Sequence, residues 1–141
     1  MRVVLQRVTS ASVSVDDVVV GRIETGLLAL VGVTHTDTSA DAEFIARKIA
    51  DLRLLRGEAS VADTTGAGVL VISQFTLYGE GRKGRRPTWS AAAPGPVAEP
   101  LVREVADQLR QRAVTVEMGV FGADMQITAA NDGPVTLILE S

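Results

Sequence analysis

The chain contains 141 residues, 46% hydrophobic and 22% charged, the make-up of a folded globular domain and not of a disordered segment. A net charge of −3 removes any whole-molecule basic field, so a polyanionic partner would have to meet a local patch. The absence of cysteine removes disulfides, thiolate zinc sites and cysteine nucleophiles.

The start, Met1-Arg2-Val3-Val4-Leu5-Gln6-Arg7, reaches a second charge too early for a secretory signal, and no apolar run approaches the ~20 residues of a bilayer span. A single soluble, cytoplasmic domain over residues 1–141 is therefore expected. Period-two alternation opens it. Val3, Leu5 and Arg7 fall on one face and Val4, Gln6 and Val8 on the other, followed by Ala11-Ser12-Val13-Ser14-Val15. Asp16-Asp17 suits a hairpin tip before an antiparallel partner over 18–24. Residues 27–33 are nearly all apolar, as in a strand covered on both sides. The period then changes. Ala42, Ile45, Ile49 and Leu52 form one stripe of an amphipathic helix. A capping box of Thr38 and Asp41 places its start near Ala40, and Arg47, Lys48 and Arg53 lie towards its far end. Residues 57–68 read as a loop or a short irregular hairpin, and 69–77 as a central strand that turns polar at its end. The nineteen residues 78–96 contain four glycines and three prolines and have little periodicity; structureless stretches of that length are often functional. Val97, Leu101, Val105 and Leu109 mark a second helix with Pro100 in its first turn. Alternation returns over 114–118, 125–130 and 135–139. About eight strands and two main helices predict an α+β domain with a mostly antiparallel, barrel-like sheet.

Conventional catalytic machinery is scarce. The single histidine, His35, follows an apolar strand in a polar segment and reads better as a solvated loop residue than as a base. A Ser-His-Asp type of hydrolase would have to use it, with Ser73 or Thr76 as nucleophile. Histidine-cluster metal sites are excluded by count, and no GxGxxG, Walker-type or HExxH pattern occurs, so neither metal nor cofactor is expected. Three polar places remain. Ser73-Gln74-Phe75-Thr76-Leu77 is either a strand running out to the surface or a strand end offering backbone N–H groups to an oxyanion or ribose. Arg82-Lys83-Gly84-Arg85-Arg86 holds four of the fourteen basic residues, near Tyr78 and Trp89. It is either a solvated face or a phosphate-contacting patch with aromatics for stacking. Asn131-Asp132-Gly133-Pro134 lies between two strand-like runs. All four residues suit a β-turn, while the Gly-Pro pair also lacks one Cβ and one N–H and would present bare backbone to a ligand.

Together these segments resemble the D-aminoacyl-tRNA deacylases over essentially the whole chain. The resemblance is carried by Gln6-Arg7-Val8, Gly26-Leu27-Leu28, Gly32-Val33, Ser73-Gln74-Phe75-Thr76-Leu77, Gly84-Arg85-Arg86-Pro87, Phe121-Gly122-Ala123-Asp124-Met125-Gln126 and Asn131-Asp132-Gly133-Pro134-Val135-Thr136. A longer hairpin with a Gly-Lys-Met-Asn-like segment, present in many relatives, is replaced here by the compact 57–68. The resemblance implies hydrolysis of the ester between a D-amino acid and the 3′-terminal adenosine of tRNA. Such esters are already reactive, so positioning and oxyanion stabilisation matter more than a strong nucleophile. It implies the backbone N–H groups of Phe75 and Thr76 as oxyanion donors, Ser73 and Gln74 in the pocket, and a ribose 2′-hydroxyl that helps activate water. The Thr76 hydroxyl has no base beside it in sequence.

The resemblance further implies that Gly133-Pro134 is a Gly-cis-Pro motif whose carbonyls enter the partner subunit's pocket. There they would receive the α-ammonium and leave no room for an L side chain, supported by Arg7, with Met125 and Gln126 lining the neighbourhood. Local sequence does not set that isomer, since only ~5–6% of X-Pro bonds are cis. Achiral glycine escapes such exclusion, so glycyl-tRNA mischarged on tRNA-Ala is an implied further substrate. The site would require a homodimer, and Arg82, Lys83, Arg85 and Arg86 would meet tRNA phosphates. Two alternatives stand beside this reading: a tRNA- or nucleotide-binding module without hydrolysis, and an ester hydrolase using His35.

Overall fold

The computed structural model describes residues 1–82 and 84–141; Lys83, one of the expected phosphate contacts, lies outside the described residues. The chain runs β1 (Arg2–Val15), β2 (Val18–Ile23), β3 (Gly26–Gly32), α1 (Ser39–Asp51), β4 (Gly68–Ser73), a 3-10 turn (Phe75–Tyr78), α2 (Gly95–Gln111), β5 (Thr115–Met118) and β6 (Gln126–Glu140). No helix among the described residues is long and apolar enough to cross a membrane.

The sheet is built on β1. β6 pairs antiparallel with it from Arg2 to Ser14, so it takes up one whole edge. β3 and β2 share the other edge, both antiparallel, along the N-terminal and C-terminal halves respectively. β4 then adds parallel to β3, and β5 parallel to β4. The antiparallel expectation thus holds around β1 and is corrected at β3–β4–β5, where a crossover carrying α1 or α2 leads to each next strand. β2 folds back against the far side of the sheet. A Cβ on Gly21 would stand 2.8 Å from the Met118 carbonyl oxygen, so the absence of a side chain there allows the sheet to close nearly into a barrel.

Two cores result. Val3, Leu5, Leu27, Ile45, Ile49 and Leu109 belong to the cluster between sheet and helices. Val8, Ala11, Val13, Ile23, Leu70 and Ile72 fill the inside of the barrel. The odd-numbered alternation of β1 conceals this change of face. A register shift between Val8 and Ser10 leaves Thr9 without a partner, and one unpaired residue turns the period over. Fewer strands form than expected because β1 and β6 each run through two of the anticipated segments as single elements. β4 ends at Ser73, and the polar end expected to continue it coils into the 3-10 turn. α2 begins at Gly95, so Pro100 falls in its second turn and not its first.

The α1 cap forms as expected, one residue before the anticipated start. The Asp41 carboxylate accepts from the Thr38 amide at 2.8 Å and from the Thr38 hydroxyl at 2.9 Å. Hydrogen bonding from Ser141, then from Thr38, holds this carboxyl at about 2, below its ordinary 3.8. A depressed folded pKa stabilises above the unfolded value and ceases to do so as pH falls through the folded one. Asp41→Ala should therefore cost about 0.5–1 kcal/mol at neutral pH. Acid unfolding of the two proteins should converge as pH falls from about 4 to about 2. A difference that stays constant through that window would rule out the carboxylate as its source.

Candidate active site

The expected site residues fall into two separate places. The first is the 3-10 turn after β4. Ser73 closes the strand opposite Val31, and the Gln74 amide still donates to the Val31 carbonyl at 2.7 Å. The turn's first bond runs from the Leu77 amide to the Gln74 carbonyl at 3.2 Å. The amides of Phe75 and Thr76 precede it, so the turn supplies them no acceptor. Two adjacent N–H groups free of the turn's own bonds are what an oxyanion requires. The Thr76 hydroxyl accepts from the Gln74 side-chain amide.

Close packing fixes this turn. A Cβ on Gly32 would lie 3.0 Å from the Gln74 carbonyl oxygen and 3.1 Å from the Leu77 Cβ, so the turn rests directly on β3 backbone. Arg2 donates to the Leu77 carbonyl at 2.8 Å and covers the Tyr78 ring at 5.0 Å. Burial, and then the charge of Asp37, push the Tyr78 phenol up to about 12, which keeps it protonated near neutral pH and unavailable as a base. The Phe75 ring is 55% exposed and meets Trp89 edge-on, with centroids 5.5 Å apart. Beside it opens a cleft of about 200 Å³ whose walls include Val33, Ser73, Phe75, Ala98 and Phe121. A second cleft shares Ser73, Gln74 and Phe75 and adds Ala123 and Met125.

The long loop beyond the turn is pinned at its base by a two-bond bridge between Glu80 and Thr88, at 2.9 and 3.0 Å. Arg82, Arg85 and Arg86 project from it, all exposed, and Trp89 ties it back to Phe75. His35 spends its Nε2 on the Ser90 carbonyl, 2.9 Å away. Among the described residues it makes no hydrogen bond to Ser73 or Thr76, the pairing that the ester-hydrolase alternative needs.

The second place is the Gly-Pro segment, and here the turn expectation is corrected. β6 does not reverse at Asn131. It continues as one strand, and Gln6 pairs with Thr136 while Val8 pairs with Asn131, so four residues, 132 to 135, lie opposite Arg7 alone. The segment is a wide bulge in an edge strand, one of the few sheet positions that tolerate proline. The Gly133–Pro134 peptide is cis, and Gly133 has φ +118°.

Arg7 braces the bulge. Its side chain is largely buried, donates from Nε to the Asp132 carbonyl at 3.2 Å and from Nη1 to the Leu54 carbonyl at 3.0 Å, and pairs with the Asp132 carboxylate at 3.2 Å. Its Nη2 stands 2.5 Å from where a Gly133 Cβ would be. Arg56 grips the same carboxylate with two bonds, 3.0 and 2.6 Å. The Arg56 hydrogen bond, opposed by desolvation and helped by Arg56 and Arg7 charge, holds the Asp132 carboxyl below the usual range. Sequence reasoning missed Arg56 and Leu54: their partners lie 76 and 47 residues away, and no local pattern announces such pairs.

The two places do not meet within one chain. Arg7 pairs with Leu27 and Ser73 with Val31, so about 13 Å of β3 separates their levels at ~3.3 Å per residue. Three strand spacings from β6 to β4 add about 14 Å across the sheet. Met125 lies with the Phe75 cleft, and Gln126 pairs with Ser14, near the end of β1 remote from the bulge. Neither adjoins Gly133 of the same chain.

Comparison with known proteins agrees with this architecture. A family model described as D-Tyr-tRNA(Tyr) deacylase matches residues 4–140. The D-aminoacyl-tRNA deacylase of Beutenbergia cavernae is 61% identical, with both chains covered over 100%. That of Thermobifida fusca is 62% identical, with 99% of each chain covered. Among solved structures, the c-Myc DNA Unwinding Element Binding Protein superposes with a TM-score of 0.90 at 38% identity, covering 100% of this chain and 99% of its own. A probable eukaryotic D-amino acid tRNA deacylase shares the fold, with a TM-score of 0.84 at 16% identity and 98% and 97% coverage. The chain belongs to the D-Tyr-tRNA(Tyr) deacylase family and is a hydrolase of aminoacyl-tRNA.

Proposed function

We propose that this protein hydrolyses D-aminoacyl-tRNA to free D-amino acid and tRNA in a site completed by two copies of the chain. The observation that carries this reading is the separation of the two motifs. An aminoacyl ester cannot span the distance between the Phe75 amide and Gly133 in one protomer, but a second copy can bring its bulge to the first copy's turn. β6 suits such a meeting, being an edge strand paired, among the described residues, only with β1, with Ile138 64% exposed.

In this reading the adenosine and ester occupy the clefts beside Phe75. Water attacks the ester carbonyl, the amides of Phe75 and Thr76 hold the oxyanion, and the bond to the ribose 3′-oxygen breaks with a proton delivered to that oxygen. The neighbouring 2′-hydroxyl assists the water. Each well-placed oxyanion donor contributes about 10²–10³ in rate, which compensates for the missing triad. The carbonyls of Gly133 and Pro134 of the other copy accept the α-ammonium and leave no volume for an L side chain. Glycine, lacking one, passes, so glycyl-tRNA mischarged on tRNA-Ala is cleaved too. Arg82, Lys83, Arg85 and Arg86 contact phosphates, and the setting is the cytoplasm, where charged tRNA is used.

Turnover of D-Tyr-tRNA but not L-Tyr-tRNA, by a protein that sedimentation shows to be dimeric, is the expected result. Equal hydrolysis of both esters would remove the chiral filter, and full activity as a monomer would remove the shared site. Thr76→Ala should keep substantial activity, within about tenfold, because the backbone amide remains. Abolished turnover with intact folding and tRNA binding would assign the hydroxyl a direct chemical role.

A further inference from the structure

The distribution of unpaired cations reveals a second surface. Among the described residues Arg2, Arg7, Arg22, Arg56, Arg103 and Arg110 are ion-paired. Arg112 bonds both the side chain and the carbonyl of Gln108. The six described cations left over fall in two groups of three. Arg82, Arg85 and Arg86 stand beside the 3-10 turn. Lys48 lies in the last turn of α1 with Arg47 directly before it, and Arg53 follows the helix in the segment that reaches the bulge: Arg53 directly precedes Leu54, whose carbonyl binds Arg7, and Arg56 holds Asp132. Arg47 and Lys48 flank the Phe44 ring at 5.5 and 5.8 Å, which sets their two charges side by side. Glu43 and Asp51, one helical turn to either side of Arg47, pair with none of the three. In a protein of net charge −3, each half of the divided site thus carries its own basic patch.

We propose that Arg47, Lys48 and Arg53 form a phosphate-contacting surface for the backbone of the tRNA acceptor end. The inference rests on the two-copy site above. There the bulge of one copy meets the turn of the other, so this patch and the other copy's Arg82–Arg86 loop flank the mouth from which the RNA emerges. Phosphodiester charge is the ligand chemistry that six unpaired, exposed or half-exposed cations on both sides of such a mouth would recognise.

The test is binding of uncharged tRNA by the full-length triple variant Arg47→Gln, Lys48→Gln, Arg53→Gln, measured against salt. Affinity should fall about tenfold or more, and the log–log salt slope should lose about two to three units. A charge-matched control, Arg103→Gln, Arg110→Gln, Arg112→Gln on α2 and at its C-terminal cap, should bind like wild type. The patch variant should also lose kcat/KM on D-Tyr-tRNA while cleaving D-tyrosyl-adenosine, which lacks the stem, at the wild-type rate. Unchanged tRNA affinity and slope, or an equal loss in the control, would overturn the patch. If wild type binds tRNA but cleaves neither D ester, the deacylase reading fails while the binding result still judges the surface. Should the triple variant misfold, Arg53→Gln alone must lower the slope by about one unit.

Discussion

Gly133→Ala should lower kcat/KM on D-Tyr-tRNA by about 10²-fold, the order of loss that follows from displacing a positioning group by about 1 Å. Two observations set that size. Gly133 adopts φ +118°, a conformation L side chains rarely take, and its Cβ would stand 2.5 Å from the Arg7 guanidinium. The guanidinium cannot simply swing aside, because carbonyls of Leu54 and Asp132 hold it. The variant should therefore relieve the clash by shifting the bulge. The stability cost should stay at about 1–3 kcal/mol, so the variant remains folded at assay temperature. A thermal melt alongside the kinetics separates the effects. A folded variant with wild-type turnover would show that the bulge does not face the substrate.

Arg7→Ala should be the most damaging change outside the turn, on stability and activity together. It leaves two carbonyls without a donor and the Asp132 carboxylate with Arg56 alone, a loss of about 2–3 kcal/mol for a largely buried side chain. Since Arg7 binds both the bulge, at the Asp132 carbonyl, and the segment after α1, at the Leu54 carbonyl, its removal should also loosen the proposed chiral filter. The ratio of L- to D-ester hydrolysis should then rise, by about tenfold or more. Arg7→Lys should recover part of the stability but little of the discrimination, because one ammonium cannot reproduce a planar fork directed at two carbonyls. An unaltered L-to-D ratio in folded Arg7→Ala would confine Arg7 to a structural role.

Legibility from sequence differed sharply between elements. α1 and its capping box were readable because the cap and the apolar stripe are local: every partner lies within a turn or two. The apolar run of β3 announced burial on both faces for the same reason. The fate of residues 73–77 was not readable, since Ser-Gln-Phe-Thr-Leu suits a strand. It coils over Gly32, where the Gln74 carbonyl, the Leu77 Cβ and the Tyr78 ring pack so closely that β3 has little room for a side chain. The bulge was read as a turn because Asn, Asp, Gly and Pro are turn residues. That they sit inside a continuous strand is decided by β1, more than a hundred residues earlier in the chain.

By itself, the sequence determined an α+β domain with two helices and no conventional triad, and, through its motifs, the family. Those properties reside in local periodicity and in residue types. Tertiary structure alone decided that β3, β4 and β5 run parallel and that Asp132 is clamped by Arg7 and Arg56. It also decided that the two motifs lie too far apart to share a pocket in one chain. Strand order, register and long-range ion pairs join residues whose separation in sequence carries no periodic signal, so they exist only once the chain has packed.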